Sequence, residues 1–388
     1  MTSTDAIQRI IAAAARGHSS GLFDLAVGAY EGLVIAGASG LVAEHTLAGL
    51  ERLGMPPVAL VDNNPALWGE TSHGVVVGPP ADAIRRHPQA VYVAAIFTHT
   101  PLRQQLLKLN ASRVVSYAPL FHRHSDTFLP YFAVDDPATI ADQADAVQRA
   151  ATVWGDEESA SLYAAILDWF VTLDSDAVPR PLAASGTYFP GLLRLRRDEV
   201  FVDCGAFDGD TVLTYAGVCG GRYQTIIAIE PDPGTFARLS ARVATLARTV
   251  AMNSAVGAAR GSIPFVASGA LSSHAMSAGA QGLGGGGPLV EVEVVRLDDL
   301  APRPTYVKMD IEGFEREALA GARHLLSGGD TAFAVTLYHR MSDLWQIPLL
   351  IHECAPDLRL FLRHYAEDWA ETICYAVPAD RVHDVARA

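Results

Sequence analysis

The stretch 199–211, E-V-F-V-D-C-G-A-F-D-G-D-T, constrains the fold more than any other part of the chain. Val200, Phe201 and Val202 make a short apolar run ending at Asp203, the pattern of a strand buried on both faces of a parallel sheet. Gly205 and Gly209 come next. Glycine takes left-handed conformations without steric cost, so a tight turn and a close backbone approach to a ligand are expected there. Asp210 and Thr211 suit the first turn of a following helix. Strand, glycine turn and helix together form the corner at which open α/β sheets take nucleotide-like ligands.

The charges in this turn discriminate between ligands. A pyrophosphate site relies on bare backbone amides and a helix N-terminus, and carboxylates beside it would repel the ligand. Here Asp203, Asp208 and Asp210 crowd one loop, which suits a cation. S-adenosylmethionine carries a sulfonium and an ammonium and has no phosphate. The next strand, expected over 225–229, ends in Glu230, placed to accept hydrogen bonds from both ribose hydroxyls.

The wider pattern resembles the FkbM-type methyltransferases. The likeness runs through VFVDCGAFDGDT (200–211), IAIEPDP (227–233), NSAVG (253–257), VVRLDDL (294–300), YVKMDIEGFEREALAGA (306–322), LYH (337–339) and LRHYAEDWAETICYA (362–376), and KMDIEGFE is its most specific piece. The resemblance implies a class I Rossmann-like domain, a mostly parallel seven-stranded sheet closed by a C-terminal antiparallel hairpin. It implies S-adenosyl-L-methionine as cofactor and methyl transfer to a hydroxyl of a sugar, a polysaccharide unit or a secondary metabolite. It carries cofactor binding onto Asp203, Gly205, Ala206, Phe207, Asp208, Gly209 and Thr211, onto Glu230 and Pro231, onto Asn253 and Ser254, and onto Asp310.

Asp310 ends an apolar strand expected over 306–309, at the sheet edge where such folds bind ligands, so it is expected beside the sulfonium. Glu312 and Gly313 are expected to begin the next helix, with Glu312 a catalytic candidate or a first-turn carboxylate acting on the helix dipole. His339 ends the following strand, where an imidazole can take a hydroxyl proton near neutral pH. Asp310, His339 and Glu312 are therefore the catalytic candidates. No stretch has metal-ligand spacing, and no metal is predicted.

Upstream, alternating strands and helices from Leu33 to Tyr117 predict a smaller Rossmann-like α/β domain over 1–130. A helical connector and linker over 131–191 follows, then the methyltransferase domain over 192–388. The first turn of the N-terminal domain has Gly37, but Ser39 and Val42 stand where a dinucleotide fingerprint needs its other glycines. A structural or substrate-gripping role is expected there; an NAD(P)-dependent sugar-nucleotide oxidoreductase acting through this domain is the alternative, as is a non-catalytic binding protein. The Gly-, Ala- and Ser-rich segment 267–288 reads as a loop, with Ser272, Ser273 and His274 its reactive side chains and a substrate lid its candidate role.

A formal charge of −14 argues against nucleic-acid or anionic-membrane partners. Four cysteines without C-x-x-C spacing, no basic leader and no ~20-residue apolar run predict a cytoplasmic chain with no membrane span. The expected partner is a small-molecule or glycan hydroxyl acceptor, and two apolar-rich domains are compatible with a homodimer.

Overall fold

The computed structural model describes residues 3–16, 31–174, 178–267, 274–275, 287–366 and 369–383. It divides into two compact units, the first made of 1–148, 162–181 and 366–370, the second of 149–161, 182–365 and 371–388.

In the first unit, four-residue apolar runs become fully buried strands, β1 (Leu33–Ala36) and β5 (Val91–Ala94) among them. With β2 (Ala59–Val61), β3 (Thr71–Ser72), β4 (Val75–Gly78) and β6 (Val114–Ser116) they form, among the described residues, a sheet of order β3-β4-β2-β1-β5-β6. All pairs are parallel except β3 with β4. The short β3–β4 pair was not anticipated from sequence. The Gly37 turn is closed by the protein itself: the Ala38 amide donates to Asp62 Oδ2 at 2.8 Å and the Asn64 amide to Oδ1 at 2.8 Å. Asp62 is a turn-forming aspartate here.

In the second unit, β7 (Val200–Cys204) lies at the centre of the main sheet. It is joined by β8 (Thr225–Ile229), β9 (Thr249–Met252), β14 (Tyr306–Met309), β15 (Ala332–Thr336), β16 (Arg359–His364) and β17 (Thr372–Val377), in the order β16-β17-β15-β14-β7-β8-β9. The first five in chain order run parallel; β17 is antiparallel to β15 and β16 to β17, giving the expected closing hairpin. Every side chain of β7, β14 and β15 is buried, which is why these strands read as unbroken apolar runs. Burying each Val, Phe or Met in them contributes about 1.5–3 kcal/mol. The chain winds outward one way through β8 and β9 and the other way through β15, so strand order reverses between β7 and β14. A crevice opens at the C-terminal ends of the strands at such a switch point.

A second sheet of this unit, not anticipated from sequence, has the order β10-β13-β11-β12, with β10 (Ala255–Val256), β11 (Gly261–Val266), β12 (His274–Ala275) and β13 (Leu289–Val295). The alternation L-V-E-V-E-V-V over 289–295 was the available signal, since it places Val292 and Val294 inside and Glu291 and Glu293 outside. Of the Gly/Ala/Ser-rich segment, Ser272 and Ser273 lie outside the described residues, and His274 falls on β12.

Candidate active site

The crevice is assembled from segments far apart in the chain. Gly205 follows β7 with φ +73°, and a Cβ there would run into the carbonyl oxygen of Asp310. Its glycine is thus demanded by the close approach of the two turns that leave the neighbouring parallel strands β7 and β14, which brings the Asp203 turn and Asp310 together. Gly209, at φ +90°, ends the turn as N-cap of the helix Asp210–Val218. Between them Phe207 holds φ +46° without being glycine.

Glu230, at the end of β8, is buried and reaches under this turn. Its Oε2 accepts from the Phe207 amide at 2.9 Å and its Oε1 from the Asp232 amide at 2.9 Å. Burial outweighs those two amides and pushes its carboxyl up to about 7. Asn253 Nδ2 donates to the carbonyls of Glu230 and Pro231 at 2.9 and 3.0 Å, so its NH₂ braces the turn and its Oδ1 is the atom left to face a ligand. Ser254 is buried beside it and Ala206 is buried in the turn, its amide donating to the Ile229 carbonyl at 3.0 Å. Asp208 is ion-paired with Arg242, and the Thr211 amide donates to its neighbour Asp210.

Asp203 and Lys308 form a buried ion pair at 3.0 Å, opposite one another in the β7–β14 register. Lys308 Nζ also donates to the Gly205 carbonyl at 2.7 Å and lies 5.2 Å from the centre of the Tyr188 ring. Burial pushes Asp203 up to about 6 against the pull of the lysine. Burial also lowers the Lys308 ammonium's affinity for its proton, but the Asp203 and Asp310 carboxylates more than reverse this and hold it charged. The ammonium thereby ties the acidic loop to β14 from below.

Asp310 is the hub of the far wall. Tyr188 Oη donates to its Oδ2 at 2.8 Å, and Tyr338 Oη approaches its two oxygens at 3.1 and 3.2 Å. Tyr338 also reaches Glu371 Oε1 at 3.4 Å. His339 follows immediately. Its Nδ1 shares a hydrogen bond with Glu315 Oε1 at 2.9 Å, and its Nε2 lies 3.4 Å from Asp310 and 3.8 Å from Glu312. Burial alone would strip this imidazole of its charge, but Glu315, Glu312 and Asp310 together push it up to about 10. Burial likewise pushes Glu312 and Glu371 up to about 7, with Asp310 adding to both.

One expectation is corrected. Glu312 and Gly313 do not begin a helix: both take left-handed φ values, +57° and +91°, and the helix starts at Glu315. Glu312 therefore sits on a strained turn facing His339, outside the reach of a first-turn dipole effect. Backbone strain recurs around the crevice, since Tyr188 and Glu371 also hold positive φ; such strain persists where the surroundings over-determine it.

The structure thus brings Asp310, Glu312 and His339 within one constellation and gathers the Asp203–Thr211 turn with Glu230, Pro231 and Asn253 in another. Sequence reasoning missed Lys308, Tyr338, Glu315 and Glu371; Tyr188, in the Tyr188-Phe189-Pro190 stretch that matches a family feature covering the cofactor, was given no role. Asp310, Glu315 and His339 offer ligand atoms within 4.8 Å of one another, a spacing that a cation can bridge. Glu315, however, already shares a good hydrogen bond with Nδ1.

Residues 203–366 match the family profile described as the methyltransferase FkbM domain. This stretch is an FkbM methyltransferase domain. Among solved structures, methyltransferase FkbM from Methylobacillus flagellatus KT superposes with a TM-score of 0.72 at 22% identity, covering 97% of this chain and 100% of that one. An rRNA methylase from Streptococcus thermophilus matches at a TM-score of 0.32 and 9% identity, over 52% of this chain and 98% of that one. No curated protein matches by sequence. No helix among the described residues is long and apolar enough to cross a membrane.

Proposed function

We propose that the FkbM domain binds S-adenosyl-L-methionine and methylates a hydroxyl of a sugar, a polysaccharide unit or a secondary metabolite. The observation that carries this reading is the sign of the crevice. Its carboxylates, Glu230, Asp310, Glu312 and Glu371, outnumber its cations: Lys308 is engaged by Asp203 and the Gly205 carbonyl, and the protonated His339 by Glu315. Such a crevice attracts a sulfonium and repels a pyrophosphate.

In this reading the Asp203–Thr211 turn, Glu230 with Pro231, and Asn253 with Ser254 hold the cofactor, Glu230 taking the ribose hydroxyls on its remaining lone pairs. When bound, S-adenosylmethionine would supply an electrophilic methyl group and leave as the thioether, and Asp310 or His339 would take the proton of the acceptor hydroxyl. Most of the acceleration comes from holding the two partners in line.

Calorimetric titration with S-adenosylhomocysteine tests the cofactor half. We expect one site per chain, weakened about 10–100-fold in Glu230→Ala, the range for losing hydrogen bonds to a charged acceptor. Failure of the unaltered chain to bind would overturn the reading.

A second expectation follows from charge. Glu230, Glu312 and Glu371 are each pushed up to about 7 by burial and so carry protons part of the time at neutral pH. A sulfonium favours the ionised form, lowers those values and expels protons. At pH 7, S-adenosylmethionine should therefore release more protons on binding than S-adenosylhomocysteine, which lacks the sulfonium. Titrations in buffers of different ionisation enthalpy read this directly, and equal release would sink the idea.

A further inference from the structure

Glu315 has no assigned part in the reaction, yet it is the most completely buried carboxylate of the constellation. Its Oε1 takes three donors or near-donors: the Ile311 amide at 2.9 Å, His339 Nδ1 at 2.9 Å and the Thr336 hydroxyl at 3.3 Å. The Ile311 amide holds this carboxylate oxygen in place, while the single Thr336 hydroxyl proton is shared with the Met309 carbonyl at 3.2 Å, so the imidazole is held by an oxygen that is itself anchored to the backbone. His339 Nδ1 cannot reach the crevice while this bond stands. Nε2 is then the nitrogen turned toward Asp310 and Glu312, which are both part-exposed.

We propose that Glu315 is a positioning residue, whose carboxylate accepts Nδ1–H of His339 and so makes Nε2 the atom that receives the acceptor's proton. This rests on the methyltransferase reading and deepens it. A histidine acting as base needs its ring oriented and its tautomer chosen, and a buried carboxylate on the far nitrogen does both. The groups facing His339 are Glu315 on one side, Asp310 and Glu312 on the crevice side, and Asp343 and Glu371 further out, with Arg316 and Arg340 acting on Asp343. This excess of negative charge favours the protonated ring. A bound sulfonium opposes it, so cofactor binding itself favours the proton-free Nε2 that the reaction requires.

The test is long-range ¹H–¹⁵N spectroscopy of the full chain, with His339→Gln identifying the resonance among the 13 histidines. In the unaltered protein, His339 should titrate well above the ordinary imidazole range, its neutral form should carry the proton on Nδ1, and S-adenosylmethionine should lower its midpoint more than S-adenosylhomocysteine does. In Glu315→Gln the midpoint should fall by more than about one pH unit, because the charge that raises it is gone. Methyl transfer should drop about 10–100-fold in kcat, with the S-adenosylhomocysteine Kd within about threefold.

A neutral form protonated on Nε2, or a midpoint at or below the ordinary value in the unaltered protein, overturns the proposal without recourse to any variant at Glu315. So does an unchanged midpoint in Glu315→Gln. Failure of the unaltered chain to bind S-adenosylhomocysteine would instead defeat the methyltransferase reading, and the histidine titration would still report separately.

Discussion

Asp310→Asn is expected to reduce kcat for methyl transfer by about 10²–10⁴-fold, the range for removing a positioned acid–base group, while the S-adenosylhomocysteine Kd stays within a few-fold. The carboxylate is acceptor to two tyrosine hydroxyls, Tyr188 at 2.8 Å and Tyr338 at 3.1 and 3.2 Å, and stands 3.4 Å from His339 Nε2. Asparagine keeps the shape but turns one acceptor oxygen into an NH₂ donor, so one tyrosine hydroxyl meets a donor instead of an acceptor. It also removes the negative charge beside the imidazole and beside the place expected for the sulfonium. Single-turnover transfer of a labelled methyl group separates this chemistry from binding and product release. Cofactor affinity falling in step with the rate would make Asp310 a cofactor ligand, and an undiminished rate would remove it from the mechanism altogether.

The sequence shows where the strands of the second unit end, and strand ends carry most of the site. Asp203, Glu230 and Asp310 were found this way, because unbroken apolar runs stop abruptly at a polar residue; His339, expected to end its strand, instead lies beyond β15, which stops at Thr336. The partners that set their charge were harder to see. Tyr188 comes from a segment with no periodicity, more than a hundred positions before Asp310, and nothing local in the sequence links the two. Glu315 reads as an ordinary acid in the first turn of a helix, and only the fold turns it inward onto His339. Glu312 was misplaced because D-I-E-G resembles a helix start, whereas the left-handed pair Glu312 and Gly313 makes one further turn before the helix begins. Lys308 could have been found. A lysine in the middle of Y-V-K-M, a strand buried on both faces, must have a counter-charge, and placing β14 beside β7 sets Asp203 directly opposite it.

That pairing gives the largest stability effect expected of a single substitution here. Lys308→Met keeps the length and apolar stem of the side chain and removes its charge, leaving the Asp203 carboxylate buried without compensation. Breaking a buried pair from one side costs about 3–5 kcal/mol. Asp203 and Lys308 are almost wholly inaccessible, and neither oxygen of Asp203 has another hydrogen-bond partner among the described residues.

The loss should depend on pH in a definite sense. Asp203 is already pushed up to about 6 in the folded protein, above its ordinary value of 3.8, and removing the lysine pushes it higher. A carboxyl raised on folding is harmless while protonated, and its cost grows as pH climbs from the unfolded value toward the folded one. Lys308→Met should therefore be much less destabilising at pH 5 than at pH 8. Asp203→Asn in the same background should recover a large part of the loss at pH 8, because an amide can be buried uncharged. The measurement is urea unfolding at both pH values, following the transition that S-adenosylhomocysteine shifts, since that one belongs to the unit holding the ligand. A loss that is the same at pH 5 and pH 8 would mean that Lys308 acts through its contacts with the Gly205 carbonyl and the Tyr188 ring. The charge of Asp203 would then not be what it holds in place.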